Sequence, residues 1–182
     1  AVVINGVDIP RYTPRERDAE LAAELGLEGK RVFGYLGTHG TAHALENVIE
    51  TAKLLAHRND IRFLFVGDGA SRQAIIELTN KYELNNVLFV GPQPKANMEH
   101  YWSLCDVDLV HLKDSPVFES VIPSKIFEAM AMGLPILLAS PTGEAREIVE
   151  TDEAGIWVPA EAPDALAGAV ERLTDDPGAL LA

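Results

Sequence analysis

The sequence is short of several things, and each shortage excludes something. Its single cysteine, Cys105, makes an intrachain disulfide impossible and fits a reducing compartment. No apolar run approaches the roughly 20 residues that a membrane-crossing helix needs. The opening AVVINGVDIP also lacks the charged and apolar regions of a secretory leader, so the expected location is the cytoplasm. Lysine and arginine number 15 against 28 acidic residues, a net charge of −13, and they form no run. Partners that are read through basic patches, nucleic acid and anionic membrane surfaces, are therefore excluded, and any anionic ligand must be held by local features. The five histidines, His39, His43, His57, His100 and His111, show neither H-x-x-x-H nor Cys/His spacing, which leaves zinc unsupported and no metal expected. GTHGTAHA lacks the Lys-Ser/Thr that closes a P-loop, and Gly34, Gly37 and Gly40 do not have the G-x-G-x-x-G spacing of a dinucleotide fingerprint. No G-x-S-x-G nucleophile elbow occurs.

What the chain does have is a core. With 182 residues and 47% hydrophobic content, it is sized for one substantial α/β domain. Residues 31–37, 61–67, 87–91, 107–111, 135–139 and 155–158 are short runs rich in Val, Leu, Ile and Phe, each closed by a turn residue, as in buried parallel strands. Helical patterns fall between and after them at about 43–57, 70–82, 95–104, 123–132, 143–150 and 163–174. A further helix, at about 15–25 with Gly26 as its stop, precedes the first strand, and the first dozen residues resemble a linker. Strand–helix alternation sustained in this way predicts a doubly wound, Rossmann-like parallel sheet.

In such a sheet the ligand lies outside the carboxyl ends of the strands, so the informative residues follow each run. At strand 1, Gly37 and Gly40 let the backbone approach a ligand, and the amides opening the next helix suit a phosphate oxygen, although a glycine there is equally explained by its dihedral angles. The segment VFESVIPSKIFEAMAMGLPILLAS, residues 117 to 140, sets Ser124, Lys125 and Glu128 at the start of a helix that is otherwise apolar. Ser120 or Ser124 can cap it and Pro123 suits its first turn. A solvated Lys125–Glu128 pair at i, i+3 is the plain reading, and residues facing a ligand the sharper one. Phe127, Met130, Ala131 and Met132 leave little room for a solvated stripe. Asp68 and Asp106 read as turn and cap residues, and Glu144 and Glu147 sit where carboxylates favour a helix dipole.

The order of these pieces, INGVD, YLGTHGTAHALENVIETAKLL, FLFVGDG, NVLFVGPQP, PSKIFEAMAMGLPIL and GEAREIVETDEAGIWV, resembles the C-terminal, donor-binding half of the family 4 retaining GT-B glycosyltransferases over nearly all of residues 2–175. E-A-M-A-x-G-x-P is the specific element; VGDG alone is weak. The resemblance implies residues 1–14 as the entry from a missing N-terminal acceptor domain and 15–182 as a nucleotide-sugar-binding domain. It implies transfer of a hexosyl group from an NDP-sugar, most often a UDP-sugar, in cell-surface polysaccharide or glycolipid synthesis. No cofactor beyond the nucleotide-sugar substrate is implied, membrane contact would come only through the missing domain, and this half alone would not turn over.

Carried over by position, Glu128 matches the second glutamate of the family's E-x7-E motif, which accepts hydrogen bonds from the ribose hydroxyls; a carboxylate offers two acceptors to a vicinal diol. The first glutamate, which reaches the donor sugar, falls at Ser120, beside Glu119. Either the loop is one residue out of register or the sugar is met by Ser120, Lys125 and backbone amides; the Pro-Ser-Lys of the polysaccharide branch favours the second. Where the family carries an Arg after the strand 1 glycine and a Lys opening the next helix, this chain has Thr38 and His43. Lys125, His43 and the amides of Gly37–Gly40, flanked by His39, remain to meet the leaving diphosphate, with Lys125 expected as the main cation. The base is expected over Gly67–Gly69, including Asp68, and over Gly91, Gln93 and Pro94.

Two other classes share the outline. A sugar-nucleotide 2-epimerase-like enzyme needs a further acid/base set, and the loops hold no convincing His/Glu pair. A flavodoxin- or receiver-like regulatory domain wants acidic residues after strand 1 and an Asp ending strand 3, where this chain has Gly-Thr-His-Gly and Gly-Pro-Gln-Pro.

Overall fold

A computed structural model describes residues 6–176 and 178. Ile4 and Asn5 of the entry motif, and the outermost ends of the two expected domains, lie outside them. Six strands, β1 (Arg31–Leu36), β2 (Ile61–Val66), β3 (Val87–Val90), β4 (Val107–His111), β5 (Ile136–Ser140) and β6 (Gly155–Pro159), form one sheet in the order β3-β2-β1-β4-β5-β6. Every pairing is parallel. This is the doubly wound dinucleotide-fold order, whereas flavodoxin- and receiver-like sheets run 2-1-3-4-5, so that alternative fails on topology.

The strands lie where the apolar runs put them, because a strand covered on both faces must be apolar throughout. The first five helices are shorter than their patterns, α1 (Ala19–Glu24), α2 (Glu46–Leu54), α3 (Arg72–Lys81), α4 (Met98–Ser103) and α5 (Lys125–Met132), whereas α6 (Glu144–Thr151) is shifted by one residue and α7 (Pro163–Asp175) runs one residue further. Asp18 caps α1 by accepting from the Leu21 amide at 3.0 Å. The expected helix over 43–57 is split: a short 3₁₀ turn at Thr41–His43 ends at Ala44, whose φ of 41° is left-handed, before α2 begins. Nor do serines cap α5 as expected. Ser124 occupies the cap position without a side-chain bond and with helical dihedrals, so the turn is wound before the helix formally starts.

Alternation of side chains across the strands makes two cores. Phe33, Tyr35, Phe63, Phe65, Leu109 and Leu137 pack under α2 and α7 on one face, while Val32, Leu36, Leu64, Val110 and Leu138 pack against Trp102, Ile126 and Val149 on the other. Tyr12 belongs to the second core, so the entry segment is anchored to the domain two residues before the expected boundary at 14. Among the described residues no helix is long and apolar enough to cross a membrane.

Candidate functional site

The loops at the carboxyl ends are locked to one another by backbone. Gly37 donates its amide to Val66 O at 2.9 Å, His39 to Asp68 O at 2.8 Å, and Ser71 to His39 O at 2.8 Å. A Cβ on Gly67 would stand 1.9 Å from Gly37 O, so the loops after β1 and β2 touch through glycine because nothing larger fits. A second lock joins the β4–α5 loop to α6: the Glu144 amide donates to Glu119 O at 2.9 Å, and a Cβ on Gly143 would fall 2.0 Å from that oxygen.

The sheet opens between these locks. The β1–β4 ladder ends at Gly34–Asp108, although β1 continues beside β2 to Leu36 and β4 beside β5 to His111. Asp108 and Leu112 donate their amides to the β5 side, at Pro135 O and Ala139 O. By the two-residue alternation of a strand, the Leu109 and His111 carbonyls therefore face the gap left by β1. Side chains take them up. Lys125 Nζ donates to Leu109 O at 2.7 Å, and His43 Nδ1 lies 3.2 Å from His111 O, which fixes the proton on Nδ1 and leaves Nε2 as an acceptor.

Both expected phosphate cations are thus drawn into the strand gap. Lys125 does not form the surface pair with Glu128 that was the plainer alternative: its side chain is only 11% exposed, its ammonium stands 3.7 Å from the Tyr35 ring centroid, and its ion-pair partner is the fully buried Asp108, at 3.7 Å. Burial lowers the Lys125 pKa, with Asp108 opposing, while burial pushes Asp108 up to about 7 against the pull of Lys125. Burial likewise lowers the pKa of His43.

His39 requires a correction. It was expected at the ligand surface, but it is fully buried, its ring edge-on to Phe65 and tilted against Tyr35, and burial pushes its pKa down to about 4. Its contribution to the loop is through its backbone. Asp68 turns its carboxylate onto the Gly69 amide at 2.8 Å, as a turn residue does, and Gln93 donates back to Gly91 O at 3.3 Å. Asp106 binds the Val32 amide, Arg31 and Arg17 at the opposite end of the sheet.

Gly37, Thr38, Asp68, Pro94, Glu119, Ser120 and Ser124 are exposed at this end; Gly40, His43, Gly67, Gly91, Gln93 and Glu128 are half-buried. Glu119 helps to line a recess of about 250 Å³ with Ser140, at the end of β5, and Trp157 of β6. Two residues escaped the sequence reading. Tyr12 lies beside Glu128, and burial followed by that carboxylate raises its pKa; nothing in an entry segment signals this contact. Arg72, the first residue of α3, makes no ion pair among the described residues, has a buried Nε without a partner, and acts electrostatically on His39. Its place just after VGDGAS at a strand end was the available signal.

The profile of the family described as "Glycosyl transferases group 1" matches residues 17–181. The "Probable glycosyltransferase WbjE" of Pseudomonas aeruginosa is 29% identical over 163 residues, 89% of this chain and 40% of that protein. The "Putative teichuronic acid biosynthesis glycosyltransferase TuaH" of Bacillus subtilis (strain 168) is 30% identical over 136 residues, 74% of this chain and 33% of its own length. Among solved structures, HepE from Anabaena in complex with UDP has a TM-score of 0.81 at 23% identity, covering 97% of this chain and 48% of that one, a likeness of fold. The chain spans less than half the length of each of these proteins.

Proposed function

The chain belongs to the group 1 glycosyl transferases, and from that premise we propose that it is the nucleotide-sugar-binding half of a retaining, family 4 GT-B enzyme that transfers a hexosyl group from a UDP-sugar. The observation that carries the reading is the opening of the sheet between β1 and β4, with Glu128 and Lys125 one turn apart on α5 beside it. The UDP held by the Anabaena neighbour supports uracil, and the teichuronic acid relative supports a surface-polysaccharide product. Its acceptor site and catalytic cleft would be completed by the missing half, so this chain alone binds donor without turnover.

In this reading Glu128 receives the ribose hydroxyls, and Gly91 and Pro94 border the base. When the glycosyl–phosphate bond breaks, negative charge grows on the diphosphate, beside Lys125, His43 and the amides of the Gly37–Gly40 loop. Glu119 and Ser120 border the sugar, with the Glu119 carbonyl already committed to α6. Thermal-shift titration with UDP, GDP, ADP and FMN tests the class: stabilisation by one nucleoside diphosphate supports it, whereas a response to FMN, or to none, rejects it. Glu128→Ala is expected to weaken UDP binding by about 1–3 kcal/mol, the scale of a lost charge-assisted hydrogen bond, while a 2′,3′-dideoxy analogue binds wild type and variant equally. A variant that binds UDP normally but melts several degrees lower would make Glu128 a structural residue.

A further inference from the structure

Asp108 has no place in that reading, yet a fully buried carboxylate is costly to keep. It is fully buried as the second residue of β4, both carboxylate oxygens lack a hydrogen-bond donor, and among the described residues its one ion-pair partner is Lys125, at 3.7 Å. The separation is too long for a hydrogen bond, and the Lys125 ammonium gives its short bond to Leu109 O instead. Stability alone does not account for an unbonded carboxylate in a core, since a buried ion pair is often no better than an apolar replacement. The position is also specific: Asp108 is the last residue of β4 laddered to β1, so its charge lies directly beneath the gap in which Lys125 stands.

We propose that Asp108 is a positioning residue that competes with the donor's diphosphate for the Lys125 ammonium, so that donor affinity is set by whether Asp108 carries its proton. The proposal rests on the donor-binding reading. With Asp108 ionised the pair is neutral and the gap offers a phosphate little; with Asp108 protonated the full lysine charge faces it. A diphosphate arriving at Lys125 therefore favours the protonated carboxyl, and binding takes up a proton. The groups around the pair are few. Glu128 on α5 adds negative charge, raising both pKa values, and the Cys105 thiol is pushed up by burial and by Asp108 and stays neutral. From β1 the Tyr35 hydroxyl is raised by burial and Asp108 and stays neutral, while the His39 and His43 imidazoles, lowered by burial, are uncharged in the free protein at neutral pH.

The bound anion raises the carboxyl pKa above its free value of about 7, so affinity is greatest below that value and falls as pH rises through and beyond it. The fall is about tenfold for each unit by which the ligand raises the pKa. UDP-glucose and GDP-mannose, whose diphosphates are already esterified and do not titrate in this range, are titrated calorimetrically into this chain between pH 6 and pH 8.5. We expect wild type to lose affinity by about tenfold across that range, Asp108→Asn to hold the low-pH affinity throughout, and His43→Gln to retain the wild-type dependence. In the double variant Asp108→Asn/Lys125→Met, affinity should be weak and independent of pH. In wild type, with no substitution at all, the Asp108 carboxyl followed by ¹³C NMR should titrate at a higher pH once UDP-glucose is added. An unmoved carboxyl titration, a pH dependence surviving in Asp108→Asn, or one abolished by His43→Gln overturns the inference alone. A wild-type chain that binds neither sugar nucleotide overturns the donor-binding reading and the inference with it.

Discussion

Gly67→Ala should destabilise the domain by about 3–5 kcal/mol and loosen the whole carboxyl end of the sheet. Two penalties combine. The φ of 141° is a conformation that side chains rarely adopt, and the new Cβ would stand 1.9 Å from Gly37 O, a backbone atom that cannot step aside without breaking the Gly37–Val66 hydrogen bond. The neighbouring glycines supply the controls. Gly37 has a similar φ of 139° but open space around its Cβ position, so Gly37→Ala should show only the backbone strain, about 1–3 kcal/mol. Gly91 has neither a positive φ nor a neighbour within 4 Å, and Gly91→Ala should be nearly neutral. Urea denaturation of the three variants should rank them in that order. Equal losses at Gly67 and Gly37 would mean that the contact between the loops contributes nothing.

The same contrast marks what a sequence can reveal. The strands of this sheet were legible because burial on both faces leaves an unbroken apolar run, and the glycines because they end those runs. Which glycine touches which loop is not written locally: Gly67 and Gly37 are alike in the sequence, and only the register Leu36–Val66 brings the Gly37 carbonyl against Gly67. His39 shows the same limit. A polar residue between two loop glycines reads as a ligand contact, yet the ring turns inward onto Phe65 and Tyr35 and only its backbone faces the neighbouring loop. Tyr12, in an apparent linker, is drawn into the core beside Glu128 by packing across more than a hundred residues of sequence.

Lys125 is the cation that the sequence favours for the diphosphate, but its surroundings are not legible there. Its pairing with Asp108 depends on where the β1–β4 ladder stops, and Asp108 sits in a strand pattern where a carboxylate resembles an interruption and not a partner. The pair makes a stability prediction with a distinctive pH dependence. Lys125→Met keeps the length of the side chain but removes the one ion pair that the fully buried Asp108 makes among the described residues, which should cost about 3–5 kcal/mol near pH 8. The loss should shrink at acid pH. In wild type the Asp108 pKa in the fold, about 7, already exceeds the roughly 3.9 of an unfolded chain, so the folded state holds the extra proton and stability falls as pH rises between those values. Without Lys125 the folded value moves higher still, and stability goes on falling through a range in which wild type has levelled off. The cost of Lys125→Met, read by urea denaturation, should therefore be greater at pH 8.5 than at pH 5.5 by up to about 2 kcal/mol, about 1.4 for each pH unit above the wild-type value of about 7. Adding Asp108→Asn should restore most of it, because a neutral amide beside methionine leaves no bare charge in the core. A loss of equal size at both pH values, unrelieved by Asp108→Asn, would assign the effect to packing around Leu109 and Tyr35 and leave the two charges without mutual dependence.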